Sequence, residues 1–231
     1  MESILITGAN RGIGLELSKR YAAAGNRVFA CCREPARATE LLALAKSHKA
    51  LTIHDVHVAD GDSVAALAKE IGSAPLDILI NNAGMSGPAG QRQSLANMDF
   101  TGWAETFAVN TMAPLRMLQA LRNNLAAGTR PRAITITSQM GALAVEMNVM
   151  YAYCSSKAAV NKVMKMAAAE LANDGIAVCV IHPGWVRTDM GGPGAAISVA
   201  ESAAGIIAVI ADTTVANTGR FRNWTGADHP W

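Results

Sequence analysis

Aromatic residues are scarce in this chain, 5% of 231 residues, and charged residues make up only 16%. The net charge is +2 and no run of basic residues is interleaved with aromatics, so neither nucleic acid nor an acidic membrane surface is an expected partner. The four cysteines, Cys31, Cys32, Cys154 and Cys179, form no C-x-x-C pair and share no zinc spacing with histidine. They read as reduced core residues rather than as a disulfide framework. The nearest thing to a metal pair is His54 with His57. On a strand, residues three apart face opposite sides, so no metal is expected. No apolar stretch reaches the length of a membrane span. Met1 to Gly8 has no basic lead and runs straight into strand-like sequence, so the expected location is cytoplasmic.

What is plentiful is apolar sequence, 51% of the chain. A chain of this length can bury roughly three quarters of its unfolded surface without staples. The surplus fits an Ala-rich core or a subunit interface equally well.

Strand-like and helix-like segments alternate throughout. Strands are predicted at 3–7, 27–31, 51–58, 76–80, 133–137 and 176–181, with a short one near Phe221. Helices are predicted at 12–24, 35–48, 62–71, 98–125 with an interruption at Pro114, 150–173 and 199–211. Several strands are unbroken apolar runs, such as Ile176-Ala177-Val178-Cys179-Val180-Ile181, which suits strands covered on both faces. Repeated β-α units make right-handed crossovers. The expected fold is therefore α/β: a single domain, 1–231, with a doubly wound, mostly parallel sheet and helices on both faces.

Between the first strand and first helix stands Thr7-Gly8-Ala9-Asn10-Arg11-Gly12-Ile13-Gly14. Glycines there permit a tight turn, close approach of backbone to a pyrophosphate, and close helix–sheet packing. The helix N-terminus adds free N–H groups and a positive dipole end. No Lys-Ser/Thr follows, which excludes a nucleotide-triphosphate loop. The second strand ends Cys31-Cys32-Arg33-Glu34. A cation there suits the extra phosphate of NADP, whereas an acid would suit the ribose hydroxyls of NAD. Arg33 and Arg11 favour NADP(H), with NAD(H) still admissible. Glu34 counts against that preference, but it precedes Pro35 at a helix start, where an acid can cap.

Asn81-Asn82-Ala83-Gly84 follows the fourth strand, Ser138 follows the fifth, and Tyr153 and Lys157 stand four apart on a helix. All lie where open α/β sheets bind ligands, beyond the carboxyl ends of strands. Hydride reduction of a carbonyl needs a proton donor at oxygen, and the reverse reaction needs a base. A free phenol titrates near 10. A lysine cation one turn away is expected to lower that value, and a serine hydroxyl can hold the same substrate oxygen.

Taken together, these motifs resemble the short-chain dehydrogenase/reductase family over nearly the whole chain, with Asn110 and Pro183-Gly184 added to those above. Thr137-Ser138-Gln139-Met140-Gly141, the run His182 to Gly192 and the stretch Gly219 to Trp231 resemble its carbonyl-reductase branch that includes the bacterial C-factor and insect sniffer proteins. The resemblance implies a catalytic tetrad of Asn110, Ser138, Tyr153 and Lys157. Tyr153 would be acid/base, Ser138 would orient the substrate oxygen, Lys157 would bind the nicotinamide ribose, and Asn110 would hold a relay water. It implies cofactor contacts from Gly8, Asn10, Arg11, Gly12, Ile13, Gly14, Arg33, Val58, Asn82, Ala83, Gly84, Tyr153, Lys157, Pro183, Gly184, Val186 and Thr188. Many family members carry Asp where this chain has His57, so the adenine contact differs. Pro114, four residues after Asn110, cannot donate to the Asn110 carbonyl and is expected to leave it free for a water.

Met140, Met147, Val149 and Met150 suit an apolar substrate pocket or ordinary packing. The Gly- and Ala-rich segment 188–200 is expected to be a short substrate lid. The leading expectation is an NADP(H)-dependent oxidoreductase acting on a small carbonyl or alcohol. The alternatives are a dinucleotide-binding signalling or regulatory protein and an isomerase or epimerase on the same fold. A homodimer or homotetramer is expected from the family, with residues 163–172 either at that interface or packed inward.

Overall fold

The computed structural model describes residues 1–146 and 149–231. Among the described residues seven strands form one sheet: β1 (Ser3–Thr7), β2 (Arg27–Cys32), β3 (Leu51–Asp55), β4 (Ile78–Asn81), β5 (Arg132–Ile136), β6 (Ala177–His182) and β7 (Arg220–Asn223). Their order is β3-β2-β1-β4-β5-β6-β7. Every pairing is parallel, so the sheet is fully parallel where the sequence suggested mostly parallel.

The period-two alternation of strand side chains builds two cores. Leu5, Phe29, Leu79, Ala133 and Val178 point to one face, against Leu67 of α3 (Gly61–Ile71), Met117 of α5 (Ala113–Ala120) and Met164 of α7 (Tyr151–Leu171). Ile4, Val28, Ile80, Ile134 and Ile181 point to the other, against Leu17 of α1 (Gly12–Ala23), Leu41 of α2 (Thr39–Ser47) and Ile206 of α8 (Val199–Asp212). This is the doubly wound Rossmann-type arrangement. Connections run outward in both directions from β1 and β4, and the carboxyl ends of these neighbours mark the switch point where such sheets bind ligands.

Four expectations need correction. The predicted helix 35–48 is a 3₁₀ turn (Pro35–Arg37) followed by α2, because Ala38 leaves helical geometry with ψ 66°. The predicted helix 98–125 is not broken at Pro114. It runs as α4 (Phe100–Phe107), a π turn (Ala108–Met112), α5 and α6 (Arg122–Ala126). Pro114 sits in the first turn of α5, where its missing N–H costs nothing. The irregularity lies upstream, where the Ala113 N–H reaches the Ala108 carbonyl. Helix α7 starts at Tyr151, because Met150 is left-handed with φ 53°. The last two residues of the predicted lid, 199–200, are the first turn of α8, fixed by the Ser198/Glu201 capping box.

No helix among the described residues is long and apolar enough to cross a membrane. The described residues also hold no cluster of three metal-ligating side chains. His54 is buried between Thr52 and Glu70, whereas His57 is exposed. Within α7, Met164 and Ala168 pack inward while Met166 faces out.

Candidate active site

The glycine turn is built as its sequence requires. Gly8 and Gly12 have φ of +65° and +54°, a region costly for any residue with a Cβ. A Cβ on Gly14 would stand 2.3 Å from the Gly8 carbonyl oxygen and 2.5 Å from Asn82 Nδ2. Asn82 closes the floor beneath this turn, donating to the Thr7 and Gly8 carbonyls at 2.9 and 3.2 Å. In return Thr7 Oγ1 accepts from the Asn82 and Ala83 N–H groups, both at 3.0 Å. Thr7 thus joins the ends of β1 and β4, a role its position at the head of the motif did not reveal. The turn leaves Asn10 exposed and Ile13 partly packed in the α1 core.

At the end of β2, Arg33 is exposed. Glu34 does not cap; its side chain makes no cap hydrogen bond and pairs with Arg37 at 2.8 Å instead. The acid that weakened the NADP argument is therefore neutralised locally. Arg37, which the sequence reading passed over, brings another cation to this corner. Arg11 reaches across to Asp189 at 2.5 Å, both side chains being largely exposed. Val58 is buried and its carbonyl accepts from Arg116.

Three elements converge beside the turn. Ser138 is buried at the end of β5, and its hydroxyl accepts from the Met140 N–H at 3.2 Å. The 3₁₀ turn that follows lies flush on α7, since a Cβ on Gly141 would be 2.6 Å from the Lys157 backbone. Asn161 fastens it there, accepting from Thr137 Oγ1 at 2.6 Å and donating to the Gly141 carbonyl at 3.2 Å. This packing brings Ser138 to the half-buried Tyr153. Burial pushes the Tyr153 phenol above its ordinary value, and the Ser138 hydroxyl opposes that rise.

Lys157 corrects the sequence reading. Its ammonium is buried and donates to the Ile136 carbonyl at 2.9 Å. It lies 5.8 Å from the centre of the Tyr153 ring. Burial drives the rise in the phenol, Ser138 opposes it and Cys154 adds to it. Burial lowers Lys157 itself from 10.5 to about 8.

Asn110 sits in the π turn with its side-chain amide fully engaged. Nδ2 donates to the Met85 carbonyl at 2.8 Å and to Ser156 Oγ at 3.0 Å, and Oδ1 accepts from the Met85 N–H at 2.9 Å. The side chain therefore holds the segment after β4, leaving only the main chain to meet a water. A Cβ on Gly84 would lie 3.3 Å from Asn110 Oδ1 and 3.6 Å from Lys157 Nζ, so N-N-A-G, Asn110 and Lys157 meet at one point. Ser156 and Gln93 also belong here and were missed. Ser156 Oγ donates to the Tyr153 carbonyl at 2.7 Å. Buried Gln93 accepts from the Tyr153 N–H at 3.2 Å. Neither carries a motif; only tertiary contact identifies them.

The outer wall comes from two segments. Leu143 and Val149 are exposed, while Met147 lies outside the described residues. The Ala144 N–H donates to the Trp231 oxygen at 3.2 Å, and Trp231 lies against Phe221 and beneath the Lys165 ammonium. After β6, Gly184 turns at φ +87° beside Ile197 and Trp224. Pro183 is held through its carbonyl by Ser202 Oγ at 2.6 Å. Val186 pairs with Ile197, closing 185–197 into a stapled loop. The Thr188 methyl would be 3.3 Å from a Cβ on Gly12, so this loop abuts the glycine turn.

Residues 2–196 match the family model described as short chain dehydrogenase, and the chain belongs to that family. Its activity is that of an oxidoreductase transferring hydride. A curated relative is the C-signal protein of Myxococcus xanthus, 38% identical over 72% of this chain and 99% of its own length. Among solved structures, the NADPH-bound carbonyl reductase from chicken fatty liver is 33% identical, with a TM-score of 0.93 over 100% of this chain and 99% of that one. The carbonyl reductase Sniffer of D. melanogaster is 30% identical, with a TM-score of 0.93 over 100% of both chains.

Proposed function

We propose that this protein is an NADP(H)-dependent carbonyl reductase whose proton donor is Tyr153. The observation carrying this reading is the convergence of Tyr153, Ser138 and Lys157 beside a glycine turn whose Gly14 has no room for a side chain. That turn, with the α1 N-terminus above it, fits a pyrophosphate. Arg33, Arg37 and Arg11 fit an additional phosphate. The NADPH in the chicken reductase supports the same preference. Gly8, Asn10, Arg11, Gly12, Ile13, Gly14, Arg33, Val58, Asn82, Ala83, Gly84, Tyr153, Lys157, Pro183, Gly184, Val186 and Thr188 would hold the cofactor.

Bound NADPH supplies the hydride. Tyr153 donates a proton to the carbonyl oxygen, its phenol being protonated at neutral pH. Ser138 donates to the same oxygen and fixes its position. Lys157 holds the nicotinamide ribose and returns a proton towards Tyr153. Asn110 secures the strand-end segment, while its carbonyl, which receives no bond from Pro114, accepts a water. The substrate is a small carbonyl with an apolar body, consistent with exposed Leu143, Val149, Trp185 and Met190 on the loops beyond β5 and β6. The chain is read as one catalytic domain with 188–198 as its lid, cytoplasmic, and assembled as a homodimer or homotetramer. A regulator without turnover would leave the complete tetrad idle.

The test is a panel of ketones and aldehydes assayed with NADPH and NADH, using the wild type and Tyr153→Phe. Wild type should prefer NADPH, and Tyr153→Phe should lose about 10²–10⁴-fold in kcat while binding NADPH normally. Full turnover in Tyr153→Phe, or better use of NADH, would sink the reading.

A further inference from the structure

Helix α7 carries Tyr153 and Lys157, and among the described residues its N-cap side chain makes no cap hydrogen bond. The first N–H groups of any α-helix lack intrahelical partners. Here the N-cap position is Met150, left-handed and with a side chain that makes no cap hydrogen bond. The first bond within the helix runs from the Cys154 N–H to the Met150 carbonyl at 2.8 Å.

Two acceptors for its first turn come from far upstream in the chain. The Gln93 carbonyl accepts from the Tyr151 N–H at 3.4 Å, and Gln93 Oε1 accepts from the Tyr153 N–H at 3.2 Å. Gln93 Nε2 donates to the Ser86 and Pro88 carbonyls, at 2.8 and 2.5 Å. Both ends of the amide are thus engaged, and turning it over would set donors against the Tyr153 N–H. The residue is only 2% exposed, so no water replaces these partners. The segment it grips begins at Asn82-Ala83-Gly84 and is tied at Met85 to Asn110. Gly87, at φ +83°, lets the chain wrap the amide closely, since a Cβ there would meet Gln93 Nε2 at 3.1 Å.

We infer that Gln93 is a positioning residue for the reaction: it caps the catalytic helix from the loop after β4 and sets the height of the Tyr153 phenol against Ser138. The inference rests on the reading of Tyr153 as proton donor. A misplacement of about 1 Å at a reacting group can cost on the order of 100-fold in rate, and one amide here controls the main chain of the proton donor itself.

The experiment compares Gln93→Leu, Gln93→Glu, Tyr153→Phe and the double variant Gln93→Leu/Tyr153→Phe in single-turnover carbonyl reduction by NADPH. NADPH affinity and thermal midpoint are followed alongside. Gln93→Leu should lose about 10–100-fold in rate with NADPH affinity within about threefold, because the glycine turn is untouched. In the Tyr153→Phe background it should cost less than about threefold, because its effect passes through the phenol. In Gln93→Glu, the protonated carboxyl can still accept from the Tyr153 N–H and donate to one loop carbonyl. The ionised form faces two carbonyls. Its rate should therefore approach wild type at acidic pH and begin to fall at lower pH than in the wild type, which loses rate only as its phenol proton donor ionises.

A Gln93→Leu rate within twofold of wild type overturns the inference, as does an equal loss in both backgrounds. If Gln93→Leu is unfolded, Gln93→Glu decides: a pH profile that coincides with that of the wild type overturns the inference. Failure of the Tyr153 reading is separate, appearing as full activity in Tyr153→Phe with Gln93 intact.

Discussion

The ammonium of Lys157 donates to the carbonyl of Ile136 at 2.9 Å, a bond that ties the lysine to the end of β5. The bond satisfies one of three donors on a fully buried cation. Burial lowers its pKa from 10.5 to about 8, a cost of about 3 kcal/mol at neutral pH at roughly 1.4 kcal/mol per unit. A lysine depressed in the folded state binds fewer protons folded than unfolded between about pH 8 and 10.5. Stability from this group is therefore level below pH 8 and rises across that window. Lys157→Met should make the cofactor-free protein about 1–2 kcal/mol more stable at pH 7, after allowing for the stranded Ile136 carbonyl. Urea unfolding at pH 7 and pH 10 checks this: the advantage should shrink at the higher pH while reductase activity is absent at both.

Gly14 offers a steric prediction. Gly14→Ala drives a Cβ into the Gly8 carbonyl and the Asn82 amide. The cost should be about 1–3 kcal/mol or more in stability, with NADPH binding weakened at least about tenfold as the turn opens. Gly194→Ala meets open space with no positive φ and should change neither quantity. Thermal unfolding and NADPH fluorescence titration read both.

Arg33 and the Arg11–Asp189 pair govern the adenosine end. Arg33→Ala should raise KM for NADPH by about tenfold, the worth of a charge-assisted phosphate contact, and leave KM for NADH nearly unchanged. Asp189→Asn frees Arg11 from an exposed ion pair worth up to about 1 kcal/mol. It should lower KM for NADPH by about two- to fivefold at low salt, with the gain fading as ionic strength rises. An unchanged NADPH/NADH ratio in Arg33→Ala would remove it from the phosphate site.

Trp231 steadies the segment after Ser138 through its oxygen and its packing on Phe221 and Lys165. Trp231→Ala should raise KM for the carbonyl substrate by about threefold to tenfold, the equivalent of about 1 kcal/mol. NADPH affinity should stay constant, since no cofactor contact is assigned to residues 142–146. Steady-state kinetics with each substrate varied in turn separates the two.

The positions that local sequence could reveal were those with local causes. Gly8, Gly12 and Gly14 announce a turn because no other residue fits it, and the apolar run of β6 announces a strand covered on both faces. The one-turn spacing of Tyr153 and Lys157 is weak alone and gains meaning only beside the glycine turn, N-N-A-G and Ser138. The limits are equally specific. Lys157 was expected to act on the phenol, but which atom an ammonium faces depends on the neighbouring strand, here Ile136. Glu34 was expected to cap, but Arg37 competes for it. The π turn around Asn110 meets α7 where Thr111 Oγ1 donates to the Ser156 carbonyl, a contact that no window of sequence contains. Gln93 and Ser156 are neither motif nor periodic, and they gain meaning only when loop and helix meet.

The outer edge of β7 is closed by its own chain. Residues 224–229 fold back so that Ala227 and His229 bond the main chains of Asn223 and Phe221, and Asp228 bridges to Arg222. An edge strand with free hydrogen-bonding groups is a template on which other chains aggregate. Here those groups at Phe221 and Asn223 are already taken. Loss of this fold-back would be felt twice, as aggregation in concentrated solution and as a loosened substrate wall, because Trp224 lies against Gly184 and the Trp231 oxygen holds Ala144.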